Sequence, residues 1–180
     1  MLVAHDTTQR CTFSTPRLLV GDWHRVANEH GLDLVEVVRS VLTTTTTAAL
    51  PPDWHGDFDQ ERARQWVAAR DAESPTRLVI ASDSGQPIGL LILFESAGRR
   101  DPARVELRLG YVLAESAWGE GLASELVGGL VDWARSEPSI ETISGGVAKD
   151  NAASARVLLK NGFEPATMRE DEQIYELILR

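Results

Sequence analysis

The chain has 180 residues, of which 43% are hydrophobic and 25% charged, and its formal net charge is −9. That is the size of one domain with a substantial core, and the composition argues against wholesale disorder. The negative charge argues against broad electrostatic binding to nucleic acid or an anionic membrane; it suits a cationic substrate such as an amine, or simply an acidic surface that keeps the protein in solution.

Cys11 is the single cysteine, so no disulfide forms within the chain and no cysteine cluster holds zinc. No metal site is expected. No apolar run approaches the roughly 18–20 residues that span a membrane, and no charged-then-apolar leader opens the chain, so a cytoplasmic location is expected.

In chain order, Met1 to Thr12 is polar and reads as a frayed tail or short edge segment, with residues 1–14 lying outside the domain. Thr15 to Val20 reads as a first strand that Pro16 introduces. A helical region begins at Asp22 with Trp23, Val26 and Ala27 as its apolar side, and Gly31 interrupts it. A second helix spans Leu32 to about Leu42. The threonine run Thr43–Thr47 could extend a strand or cap a helix end but reads first as a solvated loop, and Pro51-Pro52 stops any helix. Asp53–Asp59 mixes Trp54, His55 and Phe58 with acids, a composition that suits either a wall of a substrate cleft or an apolar plug under a connection. Asp59 caps a helix running to about Ala72.

The pattern then changes to strands. Arg77–Ser82 and Pro87–Glu95 are joined by the turn Asp83-Ser84-Gly85-Gln86, and a turn at Gly98–Pro102 leads into Val105–Leu113. Short turns make these three an antiparallel meander. After Val105–Leu113 comes the loop Trp118-Gly119-Glu120-Gly121, then a helix from Leu122 to Arg135 with apolar residues at near-helical spacing. A glycine turn leading into a helix is a place to hold an anion, because free backbone N–H groups and the helix dipole point there. It is equally a plain turn: the loop has neither the third glycine of a dinucleotide fingerprint nor the Gly-Lys-Ser/Thr of a P-loop. Ile140–Val147 follows as a strand parallel to Val105–Leu113. Asn151 caps a helix that Gly162 ends, and Phe163–Met168 and Gln173–Leu179 form a final antiparallel pair.

Three stretches together carry a family resemblance: TPRLLV at 15–20, WGEGLAS at 118–124 and NAASARVLLKNGF at 151–163. In them the chain resembles the GNAT N-acetyltransferase superfamily, and within it the branch that holds the ribosomal-protein N-terminal acetyltransferases. The resemblance runs from Thr15 to the C-terminus and is weakest between about Gly31 and Gln60. It implies a single α/β domain over residues 15–180, with a mostly antiparallel mixed sheet of six or seven strands flanked by helices on both faces.

It also implies acetyl-CoA as co-substrate and an amine as acceptor. The pyrophosphate would rest on the N–H groups of Gly119, Glu120, Gly121, Leu122, Ala123 and Ser124. Trp118 stands where many members carry Gln or Arg, though the resembling branch also uses Trp. The pantetheine would lie along the backbone of Tyr111, Val112 and Leu113, and Asn151, Ser154 and Arg156 would face it from the following helix. Glu106 is the candidate base, or else pairs with Arg108 on the surface; the family often has Glu where Arg108 stands. Many members place a tyrosine where Leu158 stands; in the resembling branch the serine at the position of Ser154 is the proposed proton donor to the leaving thiolate, its alternatives being a cofactor hydrogen bond or a second helix cap, with water as donor. A dimer is common in the family. The chief alternative is a non-catalytic acyl-CoA binder.

Overall fold

The computed structural model describes residues 7–179. An eight-stranded sheet runs through it, built from β1 (Phe13–Ser14), β2 (Leu18–Asp22), β3 (Thr76–Ala81), β4 (Pro87–Ala97), β5 (Val105–Leu113), β6 (Ile140–Ala148), β7 (Glu164–Met168) and β8 (Glu172–Ile178). The strand order is β1-β2-β3-β4-β5-β6-β8-β7. Every neighbouring pair is antiparallel except β5 and β6, which are parallel and are joined through a helix, α5 (Leu122–Ser136). A parallel pair cannot be closed by a tight turn, so the chain must cross over, and α5 is that crossover.

Two apolar clusters cover the two faces. On one, Leu107, Leu109, Leu91 and Leu93 pack against Leu126, Leu130 and Val131 of α5 and Leu158 of α6 (Ala152–Lys160). On the other, Leu78, Ile80, Leu90 and Ile92 pack against α1 (Trp23–Glu29), α2 (Leu34–Val41) and α4 (Gln60–Glu73), through Trp23, Val38 and Trp66. From Leu90 to Leu93 β4 alternates, giving Leu91 and Leu93 to the first cluster and Leu90 and Ile92 to the second. That is why Pro87–Ala97 reads as an unbroken apolar run.

The structure departs from the sequence reading in four places. Residues 1–6 and Arg180 lie outside the described residues, but 7–14 are no tail. Thr8–Arg10 is a 3₁₀ turn, Cys11 is fully buried, and β1 adds an eighth strand beside β2. Two residues are too few to show a strand's alternation. Second, β2 begins at Leu18 and runs to Asp22, later than the expected strand. Third, the second helix starts at Leu34, because the Asp33 carboxylate accepts from the Val35 N–H and fixes the boundary. Fourth, Thr44–Thr47 is a short helix, α3, rather than a loop. Thr43 and Thr46 cap each other reciprocally, with the Thr43 hydroxyl accepting from the Thr46 N–H and the Thr46 hydroxyl from the Thr43 N–H.

Candidate functional site

β5 and β6 pair only as far as Arg108 opposite Ser144. β5 stays paired with β4 up to Leu113, and β6 stays paired with β8 up to Ala148. The two strands therefore separate at their C-terminal ends while each remains anchored on its outer side. Between them lies a cavity of about 720 Å³, bounded by Leu109–Val112 on one strand and Gly145–Ala148 on the other. The β6-facing edge of 109–113 is left without a strand partner, so its backbone N–H and C=O groups face the gap.

Glycine keeps the gap open. A Cβ on Gly145 would come within 3.3 Å of Leu158 Cδ1. One on Gly146 would collide with the Glu172 carboxylate and lie 3.1 Å from Arg108 Nη2. Thus Glu172 and Arg108 form their ion pair, at 3.4 Å, directly over a residue with no side chain. Arg169 holds the same Glu172 oxygen at 3.3 Å.

The start of α6 closes one wall. Asn151 caps the helix: its Oδ1 accepts from the Ser154 N–H at 3.1 Å, which turns its Nδ2 toward Ser154 Oγ at 3.0 Å. The Tyr111 hydroxyl, arriving from β5, donates to the same oxygen at 3.2 Å. Burial pushes the Tyr111 phenol above its ordinary value, against the opposing pull of the Ser154 bond. Tyr111, Asn151 and Ser154 all line the cavity.

The opposite wall is the connection between α3 and α4, where Leu50, Pro52 and Trp54 face Ile92, Phe94 and Arg108. Trp54 also packs edge-on against Trp66 at 5.2 Å, while Phe58 is buried beneath the cation of Arg62. Both expectations for Asp53–Asp59 are thus met by different residues: Trp54 is wall and Phe58 is plug.

Beyond Leu113 the chain reaches the glycine loop. Gly119 and Gly121 both have positive φ, 79° and 75°, and Gly121 is the N-cap of α5 with no side chain capping the helix. Those conformations need glycine. Space for a Cβ is open at Gly119, so the loop surface is uncluttered. The uncapped N–H groups at the start of a 15-residue helix suit a phosphate oxygen. Arg17 braces the loop, donating to the Glu120 carbonyl at 2.9 Å and to the Glu125 carboxylate at 2.6 Å. Burial raises the Glu125 carboxyl, but the bonds from the Thr15 hydroxyl and from Arg17 outweigh it, and the group lies below its ordinary value. The exposed Trp118 turns its indole N–H onto the Leu113 carbonyl at 2.9 Å, tying the loop to the end of β5.

The structure brings together Tyr111, Val112, Asn151 and Ser154 at the cavity, with Leu113 and residues 118–124 continuing past its end. Two expected residues are not brought to the cavity. Arg156 is exposed on α6 and does not line it. Glu106 lies two residues too early on β5, where the sheet is still closed by Thr142 of β6, and its carboxylate is held by Arg99 at 2.8 Å. The expected pairing of Glu106 with Arg108 is also replaced: Arg99 takes Glu106 and also Glu176, and Arg108 takes Glu172. Sequence reading missed Glu172 because it looks like one more acid in a turn. Only the insertion of β8 beside β6 carries it to the gap.

A family model for the acetyltransferase (GNAT) domain matches residues 27–164. Among curated proteins, the chain is 26% identical over 140 residues to YoaA of Bacillus subtilis strain 168, described as an uncharacterized N-acetyltransferase; the match covers 77% of this chain and 67% of that protein. Among solved structures it superposes on a GNAT-family acetyltransferase from Bacillus anthracis with a TM-score of 0.74 and 18% identity, covering 94% of this chain and 99% of that one. It also superposes on RimL, a ribosomal L7/L12 α-N-protein acetyltransferase in complex with coenzyme A, with a TM-score of 0.66 and 20% identity, covering 92% and 96%. At these identities the superpositions show a shared fold.

Proposed function

The chain belongs to the GNAT acetyltransferase family, and from that premise we propose that it transfers the acetyl group of acetyl-CoA to a primary amine, with both substrates held together in one complex. One observation carries the reading: a hydroxyl, Ser154, and a carboxylate, Glu172, both line the gap between β5 and β6. Amine acetylation needs a group to take a proton from nitrogen and a group to give one to sulfur.

Acetyl-CoA, when bound, supplies the acetyl group on a thiolate leaving group. The N–H groups of Gly119–Ser124 fit its pyrophosphate, and the exposed cation of Arg156 is free to meet its phosphates from α6. The unpartnered edge of 111–113 fits the amides of the pantetheine, and Trp118 and Asn151 fix the two ends of that channel. N–H groups on the same edge are donors for the carbonyl oxygen as it gains charge. Glu172 takes the proton of the attacking amine, directly or through one water, and Arg108 and Arg169 fix its carboxylate. Ser154 gives the proton to sulfur. Glu106 takes a structural part instead, as the partner of Arg99. In this reading the protein acts as one acetyltransferase domain in the cytoplasm, and β1 belongs to it.

The cavity has largely apolar walls with two carboxylates, Asp171 and Glu172, and Glu172 is already shared by Arg108 and Arg169. That balance favours an amine with a single positive charge beside an apolar group, such as a peptide N-terminus. It disfavours aminoglycosides and polyamines, whose several charges need several carboxylates. The test is thiol release from acetyl-CoA with short peptides, arylalkylamines, aminoglycosides and polyamines. Transfer to the first two classes is expected. Tight acetyl-CoA binding with no transfer to any of them would make the protein a non-catalytic acyl-CoA binder.

A further inference from the structure

Ser154 Oγ receives two hydrogen bonds inside the protein, from Tyr111 at 3.2 Å and from Asn151 Nδ2 at 3.0 Å. A serine hydroxyl has two acceptor lone pairs and one hydrogen. With both lone pairs occupied, the hydrogen is the only hydrogen-bonding capacity left, and the cavity is where Ser154 meets open space. The Asn151 bond cannot reverse, since an amide N–H can only donate. Asn151 is held in its orientation because its oxygen already accepts the Ser154 N–H. Tyr111 is partly buried, burial disfavours its phenolate, and its hydroxyl donates to Ser154 Oγ at 3.2 Å.

We propose that Tyr111 is a positioning residue for acetyl transfer, whose hydroxyl fixes Ser154 as a one-way donor aimed at the sulfur of coenzyme A. The inference rests on the acetyltransferase reading and adds a function to a side chain whose backbone alone was assigned to the cofactor. As the amine nitrogen bonds to the acetyl carbon, the C–S bond breaks and its electron pair stays on sulfur. The amine, which arrives as a cation, loses one proton to solvent before it attacks; the nitrogen gives up a second to Glu172 as the amide forms, which Glu172 returns to solvent, and sulfur takes one from Ser154. The Ser154 oxygen regains a proton from solvent as coenzyme A departs. Tyr111 is not consumed: it stabilises the negative charge that builds on Ser154 Oγ while the proton is in transit. An ordinary serine is a weak acid, and two donors converging on its oxygen make it a better one.

The experiment needs no acceptor. Coenzyme A bound to the protein is titrated with alkali, and the thiolate is followed by its ultraviolet absorbance. A donor aimed at sulfur favours the thiolate, so its loss raises the thiol pKa. Relative to wild type, Tyr111→Phe is expected to raise the bound thiol by about one unit, a tenfold drop in thiolate at a given pH. Ser154→Ala should raise it at least as far, and Tyr111→Phe combined with Ser154→Ala should add nothing further, since one residue acts through the other. Calorimetry at neutral pH should find coenzyme A affinity within about twofold of wild type for Tyr111→Phe, which loses a single hydroxyl. An unshifted thiol in Tyr111→Phe, or shifts that add in the double variant, would overturn the inference while leaving the acetyltransferase reading intact. Failure of the wild-type protein to bind coenzyme A would overturn that reading and this inference with it.

Discussion

At the scale of single residues, the proposed base turns on two positions, one on β5 and one on the strand that lies beyond β6. Glu106 is still inside the closed part of the sheet and has a committed partner in Arg99. Glu172 sits where the strands have parted, over a glycine that leaves room for its carboxylate. A general base must come within hydrogen-bond reach of the proton it takes, directly or through one water, and lining the cavity is the first condition for that. Glu172→Gln is therefore expected to lower kcat by roughly 10²-fold, with acetyl-CoA affinity little changed. Glu106→Gln should retain transfer and lose only the Arg99 pair, worth about 1 kcal/mol or less because Arg99 is largely exposed. Steady-state kinetics on the two variants separate the assignments. Loss of kcat in Glu106→Gln with Glu172→Gln active would return the base to β5.

At the scale of elements, strand–loop–helix is the unit that the sequence made most legible. The expected strand Val105–Leu113 is the observed one, and α5 begins at the expected Leu122. Alternating apolar residues, two glycines and a helical repeat are local signals, and a local signal survives without knowledge of the fold. What was not legible depended on distant contacts. Thr43–Thr47 looked like a loop because the run is low in complexity, yet its hydroxyls supply the caps that a one-turn helix needs. The Arg17 brace joins residues 103 positions apart, and nothing near Glu120 announces it. The loop makes a firm prediction. At Gly121, φ of 75° disfavours any side chain, and a carboxylate there would oppose a phosphate electrostatically. Gly121→Glu should weaken acetyl-CoA binding at least tenfold, about 1.4 kcal/mol. Calorimetry on a variant with a native-like circular dichroism spectrum checks it, and an unchanged affinity would reduce the loop to a turn.

At the scale of the whole molecule, the meander and the parallel crossover strand were legible in the pattern and the family resemblance implied the mixed sheet with helices on both faces, but neither pointed to the cavity. It exists because β5 and β6 are parallel, joined by a long crossover, and held apart by different outer neighbours, β4 and β8. Charge acts at the same scale. The net charge of −9 attracts a cation toward the molecule, and Asp171 and Glu172 place part of that charge at the cavity itself. Exposed charges act over about 10 Å at 0.1 M salt and over about 30 Å at 0.01 M. If the field guides the acceptor, KM for a singly charged amine should rise as salt increases from about 0.02 to 0.3 M, while kcat stays level. The acetyl-CoA terminus needs a separate control, because its phosphates are screened from the glycine loop by the same ions. Measuring the acceptor KM at saturating acetyl-CoA isolates the amine. A KM flat across that range would mean that the apolar walls, Trp54 and Phe94 among them, select the acceptor by contact and that the acidic surface has no part in its capture.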